Sequence, residues 1–435
     1  MIATVRPLAA LLAGAALLLM GAGLLSTLLA VRGRIEGYDD QVLGLVMSAY
    51  FAGFFLGTYA APGLVQRIGH IRAFAFYSAL CAATVLLHPI LVSPWAWGLL
   101  RLVTGVALVG LYTVIESWLN VQAPPGQRSQ VFAIYMAVNL FALAAGQWFI
   151  GIAPAEGFVL FSLVAILICL GALPVTASRM VQPELPPMPR LALKALFRAA
   201  PAATFGALLA GMTVGAFWGM AAVFATRIGL DVTGVALLMS ITIVGGAALQ
   251  WPIGRFSDGG DRRTTLVVVC VLAAGAALAM MLPIGQSGLP LYALCFCFGG
   301  LAFAIYPICM AHLLDHLPPE STLAAGSSLL LLNGVGSAIG PAAAGVAMTR
   351  FGPEALPAFY AATLALVALV AGGRRLLRHR DNDHPSAFHV MLRTTPTAFE
   401  LLPEAEMPVA DSDRAGHDHG DGGNPANATS VRTGA

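Results

Sequence analysis

A helix that crosses the hydrocarbon of a bilayer needs about 20 mostly apolar residues. This chain offers twelve such runs, at residues 8–31, 42–61, 73–92, 96–119, 131–152, 158–175, 202–224, 235–253, 266–283, 289–311, 324–348 and 356–371. Backbone amides and carbonyls have no water partner at that depth, so long apolar runs of this kind close their hydrogen bonds within helices. The expected fold class is an all-α integral membrane protein with twelve transmembrane helices. Composition agrees: 58% of the 435 residues are hydrophobic and 10% are charged, where a soluble domain carries about 25% charged residues. Arg6 precedes the first run as in a signal peptide. The run exceeds the roughly 7–15 residues of a signal core, however, and another span follows at once, so it reads as a membrane helix.

The runs fall six and six about a polar, proline-rich break that holds Pro183, Pro186, Pro187 and Pro189. The expected organisation is an N-terminal six-helix bundle at 1–178, a cytoplasmic central linker at 179–200, a C-terminal six-helix bundle at 201–373 and a tail at 374–435. Sliding the chain by 194 residues aligns Gly105 with Gly299, Tyr112 with Tyr306, Pro124-Pro125 with Pro318-Pro319, Asn139 with Asn333 and Gly146 with Gly340. Alanine and leucine matches carry little weight in such a composition, but these do, and they predict two parallel six-helix repeats. A tight basic turn recurs once per half: Gly254-Arg255-Phe256-Ser257-Asp258-Gly259-Gly260-Asp261-Arg262-Arg263, and a weaker copy containing Arg67, Gly69 and Arg72. With the N-terminus inside, the short loops and helix ends place fifteen Lys and Arg on the inner side and four (Arg32, Arg34, Arg227 and Arg350) on the outer. That bias predicts a multi-pass protein of the bacterial inner membrane with both termini, the linker and both basic turns in the cytoplasm.

Net charge is +2 and no aromatic-interleaved basic tract exists, which excludes a nucleic-acid partner. The six cysteines lie inside apolar runs as packing residues, and Cys295-x-Cys297 lacks zinc-ligand spacing, so neither metal nor cofactor is expected. The cluster Arg374-Arg375-Leu376-Leu377-Arg378-His379-Arg380 should touch anionic lipid headgroups. The rest of the tail, 381–435, is rich in Pro, Asp, Gly, Ser and Thr and is expected to be disordered.

Ionisable groups in the hydrocarbon are costly and mark function by default. The fourth span holds two, Arg101 and Glu116. At about 100° per residue they share one stripe with Gly105 and Tyr112, so the stripe should face the bundle interior. The two charges are about 22 Å apart along the helix, too far for a direct pair. The transport and proton-coupling candidates are therefore Arg101, Tyr112 and Glu116, with Glu116 taking up and releasing a proton. Asn139, Gln147, Gln250, Tyr306 and Asn333 are candidates to line a path, each equally able to serve as an interhelical hydrogen bond. Gly336, Gly340, Pro341 and Gly345 form a small-residue face for close helix packing. His312 and Asp315 read as interfacial.

Gly254 to Arg263 resembles the signature loop of the major facilitator superfamily: a glycine, an aspartate four residues on, then a basic pair. Arg101-x-x-x-Gly105 resembles the arginine motif of that superfamily's fourth helix, which implies proton coupling. Within the superfamily, Tyr50-Phe51-Ala52-Gly53-Phe54, Gly69-His70-Ile71-Arg72-Ala73-Phe74 and Glu116-Ser117-Trp118-Leu119-Asn120 look like the bacterial YcaD-like branch. The resemblance covers residues 8 to 372 and implies cytoplasmic gating loops at Arg67, Gly69, Arg72, Gly254, Asp258, Arg262 and Arg263. Pro62 and Gln66 depart from the family's glycine and aspartate, which implies an asymmetric inner gate. The fifth helix lacks the Gly-Pro element of many drug/proton antiporters.

The expected function is secondary active transport of a small solute by alternating access, coupled to protons. Two alternatives stand beside it. One is a membrane-embedded sensor of transporter fold signalling through its tail, which deletion of 381–435 would silence while leaving a transporter's flux intact. The other is an intramembrane enzyme, for which the chain shows neither a histidine–glutamate metal motif nor a serine elbow.

Overall fold

The computed structural model describes residues 2–124, 126–176, 193–285, 288–317, 322–377, 388–391 and 394–401. Most of the linker at 179–200, including Arg179 and Arg190, lies outside them, as do the side chains of the 374–380 cluster and everything beyond residue 401. The chain forms helices α1 (Ile2–Ile35), α2 (Asp40–Ile68), α3 (His70–Leu87), α4 (Pro94–Gln122), α5 (Arg128–Gln147), α6 (Val159–Thr176), a short α7 (Leu193–Ala199), α8 (Pro201–Arg227), α9 (Val232–Asp258), α10 (Arg262–Ala279), α11 (Gly288–Leu314), α12 (Thr322–Phe351) and α13 (Ala355–Leu377). Among the described residues, all but α7 are long and apolar enough to span a bilayer, twelve in total. Large apolar side chains such as Phe141, Trp251, Phe256 and Leu369 are exposed, which suits a surface solvated by lipid tails.

The helix ends are set by local chemistry that repeats between halves. Asp39 accepts from the Val42 amide at 2.8 Å to cap α2, and Asp231 accepts from the Gly234 amide at 2.8 Å to cap α9. Each cap follows a glycine at positive φ, Gly37 (78°) and Gly229 (87°), which reverses the chain with no Cβ penalty. The pattern of helix contacts repeats as well: α2 on α4 matches α9 on α11, α1 on α5 and α6 matches α8 on α12 and α13, and α3 on α6 matches α10 on α13.

Glycine sets these crossings. A Cβ on Gly53 would strike the Leu102 carbonyl and one on Gly105 the Tyr50 carbonyl; Gly245 against Phe296 and Gly299 against Thr242 repeat this in the second half. Gly146 against Met20 is likewise repeated by Gly340 against Met212. Backbone-to-backbone approach of this kind gives packing energy where no hydrophobic drive exists between helices in lipid. Gly336 also meets α8, at the Leu208 carbonyl, whereas Pro341 and Gly345 meet α2 at Gly44.

The halves touch mainly through α2 with α12, with lesser contacts of α5 with α9 and α1 with α8. Most of the polar cross-contacts lie toward the end that carries turns 36–39 and 228–231, the outer end on the charge count. There Asp40, almost fully buried, pairs with Arg227 of the other half, with Arg34 at 3.7 Å. The Gln41 amide donates to Thr349 Oγ1 (2.9 Å), the Ala342 amide to Ser48 Oγ (2.9 Å) and Ser240 Oγ to the Ala144 carbonyl (2.9 Å). Contacts between the halves thus close this end.

One expectation is corrected. Residues 388–391 and 394–401, expected in a disordered tail, fold back onto the bundle, where 396–401 form a 3₁₀ turn against α4, α5 and α12. Met391, Thr394, Thr395, Thr397 and Ala398 are buried there. Their composition resembles a solvated segment, but Glu116 on α4 accepts from Thr395 and Thr397.

Candidate functional site

A cavity lies between the halves, below the sealed outer end. From α2 it takes Tyr50, Phe51, Phe54, Phe55 and Thr58, and from α8 Val214 and Trp218. Phe303 and Tyr306 come from α11, and Leu330, Leu331, Asn333, Gly334 and Ser337 from α12. The space amounts to about 900 Å³, part of it open to solvent. Both halves supply aromatic rings, and Trp218 stacks on Phe303 with centroids 6.2 Å apart. The hydrogen-bonding groups are few: Tyr50, Thr58, Trp218 through its indole N–H, Tyr306, Asn333 and Ser337, plus Thr394 at the tail side. Among the described residues no charged side chain lines the space. A wall of ring faces with a few hydroxyls and an amide suits a flat, uncharged solute.

The sequence candidates divide around this cavity. Tyr306 and Asn333 line it, and the Asn333 amide also donates to the Ala207 carbonyl at 2.9 Å. Gln147 does not line it: its amide bonds Thr27 at 2.5 Å and the Leu143 carbonyl at 3.1 Å, joining α1 to α5. Asn139 and Gln250 are buried outside the cavity wall. A polar side chain in a membrane helix is satisfied as well by a neighbouring helix as by a solute, which is why spacing alone did not separate the two.

The stripe on α4 is buried, as expected, but it packs on α2 and does not line open space. Gly105 presses on Tyr50 to Phe54, and the rings of Tyr112 and Phe54 lie 5.9 Å apart. Arg101 is 2% exposed; its guanidinium sits 4.4 Å over the Tyr50 ring and 3.8 Å from Met47 Sδ. A cation against a ring face in a dry environment is held by the ring quadrupole. Tyr50 also lines the cavity, so Arg101 sits directly behind that part of the wall.

Glu116, one helix region further in, is fully buried. Its Oε1 accepts from the Tyr135 hydroxyl at 3.5 Å. Its Oε2 accepts from the Thr395 amide at 2.9 Å, from the Thr395 hydroxyl in a short bond, and from Thr397 Oγ1 at 3.3 Å. Among the described residues no cation pairs with it. Hydroxyl and amide donors, with no partner cation among the described residues, hold the carboxyl group.

The two basic turns differ. In the second half, Arg262 Nε donates to Asp315 Oδ2 at 2.6 Å, and its Nη1 to Asp258 Oδ1 at 3.0 Å and Ser257 Oγ at 3.1 Å. Arg263 Nε meets His312 Nε2 at 3.3 Å, and Asp261 caps α10. This knot binds α9, α10 and α11 within one half, with His312 and Asp315 as its buried partners. Gly254 gives way to the Phe388 ring from the tail. In the first half Gly69 turns the chain at φ 83°, while Arg67 and Arg72 are exposed and form no ion pair among the described residues. Gln66, uncharged, cannot supply the carboxylate that a knot of the Arg262 type takes from Asp258.

The sequence profile of the Major Facilitator Superfamily matches residues 11–330 and 203–402. The chain belongs to this superfamily. Relatives within it are uncharacterised MFS-type transporters. The Enterobacter sp. (strain 638) protein is 26% identical over 389 residues, 88% of this chain and 97% of the relative. YcaD of Escherichia fergusonii is 25% identical over 379 residues, 87% and 97% of the two chains. Among solved structures, the nucleoside transporter NupG superposes with a TM-score of 0.69 at 16% identity, covering 85% of this chain and 99% of that one. A bacterial homologue of the human lysosomal transporter Spinster, inward-facing and occupied, superposes with a TM-score of 0.64 at 16% identity, covering 86% and 94%. The chain is therefore a multi-pass membrane transporter of the major facilitator fold, not an enzyme.

Proposed function

We propose that the protein moves a small, uncharged, ring-bearing solute across the bacterial inner membrane by alternating access, with proton movement coupled at Glu116. The observation that carries this reading is the central cavity itself: aromatic walls from both halves, a handful of neutral hydrogen-bonding groups, a sealed outer end. Rocking the halves about α2–α12 and α5–α9 would part the Asp40–Arg227 pair and present the same walls to the other side. Arg101 is assigned a positioning role, holding Tyr50 at the cavity wall, and Tyr112 packs that register through Phe54. Glu116 is assigned the proton, which it would carry while the solute site faces one side and release when it faces the other.

The reading is tested by ligand-induced thermal shift on the purified protein. Indole and uridine, both neutral and ring-bearing, are expected to raise Tm with concentration, whereas benzoate and lactose are not. Trp218→Ala, which removes one stacking face, should weaken indole or uridine binding about tenfold, or ~1.4 kcal/mol. Equal stabilisation by benzoate and lactose, or no response to Trp218→Ala, counts against the assignment.

A further inference from the structure

Residues 388–391 and 394–401 occupy a place no ordinary tail needs to occupy. One end is fixed to the second half: the Phe388 amide donates to Asp258 Oδ1 at 3.0 Å, and its ring fills the notch left by Gly254. The middle reaches the solute space, where Met391 and Thr394 form part of the cavity wall. The other end is fixed to the first half, where Thr395 and Thr397 take Oε2 of Glu116. The segment therefore ties the two halves together across the inner mouth of the cavity.

We propose that residues 388–391 and 394–401 form a built-in plug: parts of the protein's own chain that close the inner exit and, through Thr395, cap the buried acid, so that transport requires their withdrawal. The proposal rests on the transporter reading of the cavity.

Three physical consequences follow from where the plug sits. Solute in the cavity has no inner exit while Met391 and Thr394 cover it. Glu116 cannot trade a proton with inner water while three donors occupy Oε2 and Tyr135 covers Oε1. The inner ends of the two halves also cannot meet, as an outward-open state demands, while a chain segment lies between them. Because the plug is tethered to the transporter, weak intrinsic binding suffices to keep it seated. Among the described residues its polar anchors are hydroxyl and amide bonds to one carboxylate and one bond to Asp258, beside the buried Met391 and Ala398. A competing event on the tail, or charging of the segment, would shift the seated population by a large factor.

The experiment reads access to the cavity and needs neither solute nor proton flux. Gly334 lines the cavity, and a Cβ there would meet only the Phe55 ring, at 4.0 Å, so Gly334→Cys, in a background with the native cysteines replaced, reports on the inner route. Inside-out vesicles are treated with a hydrophilic maleimide. The full-length chain should label slowly. Truncation after residue 380, and separately the Thr395→Val/Thr397→Val pair in the intact chain, should each speed labelling by about tenfold or more. A synthetic peptide of residues 388–401, added to the truncated protein, should slow it again. Size-exclusion profiles check that both variants stay folded. Equal labelling rates in the full chain and in both variants would overturn the plug. Such a result leaves the transporter reading standing, since that reading fails only on binding and flux.

Discussion

Glu116→Gln is expected to abolish uphill accumulation of solute while leaving exchange of solute for solute intact. Glutamine keeps the shape and one acceptor oxygen of Glu116, so it can still take the Thr395 amide and the hydroxyls that now converge on Oε2. It cannot take up or release a proton. Rocking of the halves and the ring-lined cavity are untouched by this change, so a loaded carrier still returns loaded. Accumulation against a gradient needs the protonated and deprotonated forms to favour different states, and a group with one form shifts nothing. In proteoliposomes under an imposed pH gradient, steady accumulation should fall at least about tenfold, equivalent to ~1.4 kcal/mol of lost driving force. Counterflow under equal pH should stay within about twofold of the parent, a difference of only ~0.4 kcal/mol. Loss of both activities together would point to a structural role for the carboxylate.

Arg227→Ala is expected to open the outer end. Asp40 is 1% exposed and keeps its charge in that setting through Arg227, with Arg34 more distant at 3.7 Å. Removing one partner of a buried pair costs about 3–5 kcal/mol. Here the Arg227 side chain is 29% exposed and Arg34 remains, so about 2 kcal/mol is a fair expectation. The penalty falls on the state in which the outer end is sealed, and it converts to roughly a thirtyfold shift toward the state in which Asp40 meets water. The Gly334→Cys reporter, labelled from the outer side in right-side-out vesicles, should react correspondingly faster. Asp40→Asn combined with Arg227→Ala should recover part of the seal, because it removes the stranded charge. Labelling that ignores both variants would mean that the remaining α2–α12 contacts close this end.

The twelve spans, the two repeats and the buried stripe of Arg101 and Glu116 were legible because each leaves a mark in local sequence. Run length reports the bilayer, and an offset of 194 residues aligns Tyr112 with Tyr306 and Asn139 with Asn333. The cavity wall was much harder to read. Phe54, Phe55, Trp218 and Phe303 are apolar residues in apolar runs, and nothing local distinguishes a ring that faces a solute from one that faces lipid or a neighbouring helix. Among polar residues the ambiguity ran the other way: Tyr306 and Asn333 line the cavity, while Gln147 is spent on Thr27. Tyr50 was quoted for its likeness to a family pattern, yet its physical role, a ring beneath the Arg101 guanidinium, belongs to the crossing of α2 and α4 at Gly53 and Gly105. The partner of Glu116 was out of reach altogether. Thr395 lies 279 residues away, in a stretch whose composition argues for disorder, and only the tertiary fold brings them together.

The most direct test of proton-coupled transport is solute-driven proton flux. Proteoliposomes loaded with a pH-sensitive dye receive a pulse of the solute that gives the largest thermal shift, with no pH gradient imposed at the start. The parent protein should move protons in step with solute, and Glu116→Gln should move solute down its gradient with no change in internal pH. Solute entry without proton movement in the parent, or the parent's coupling ratio persisting in Glu116→Gln, would contradict the account.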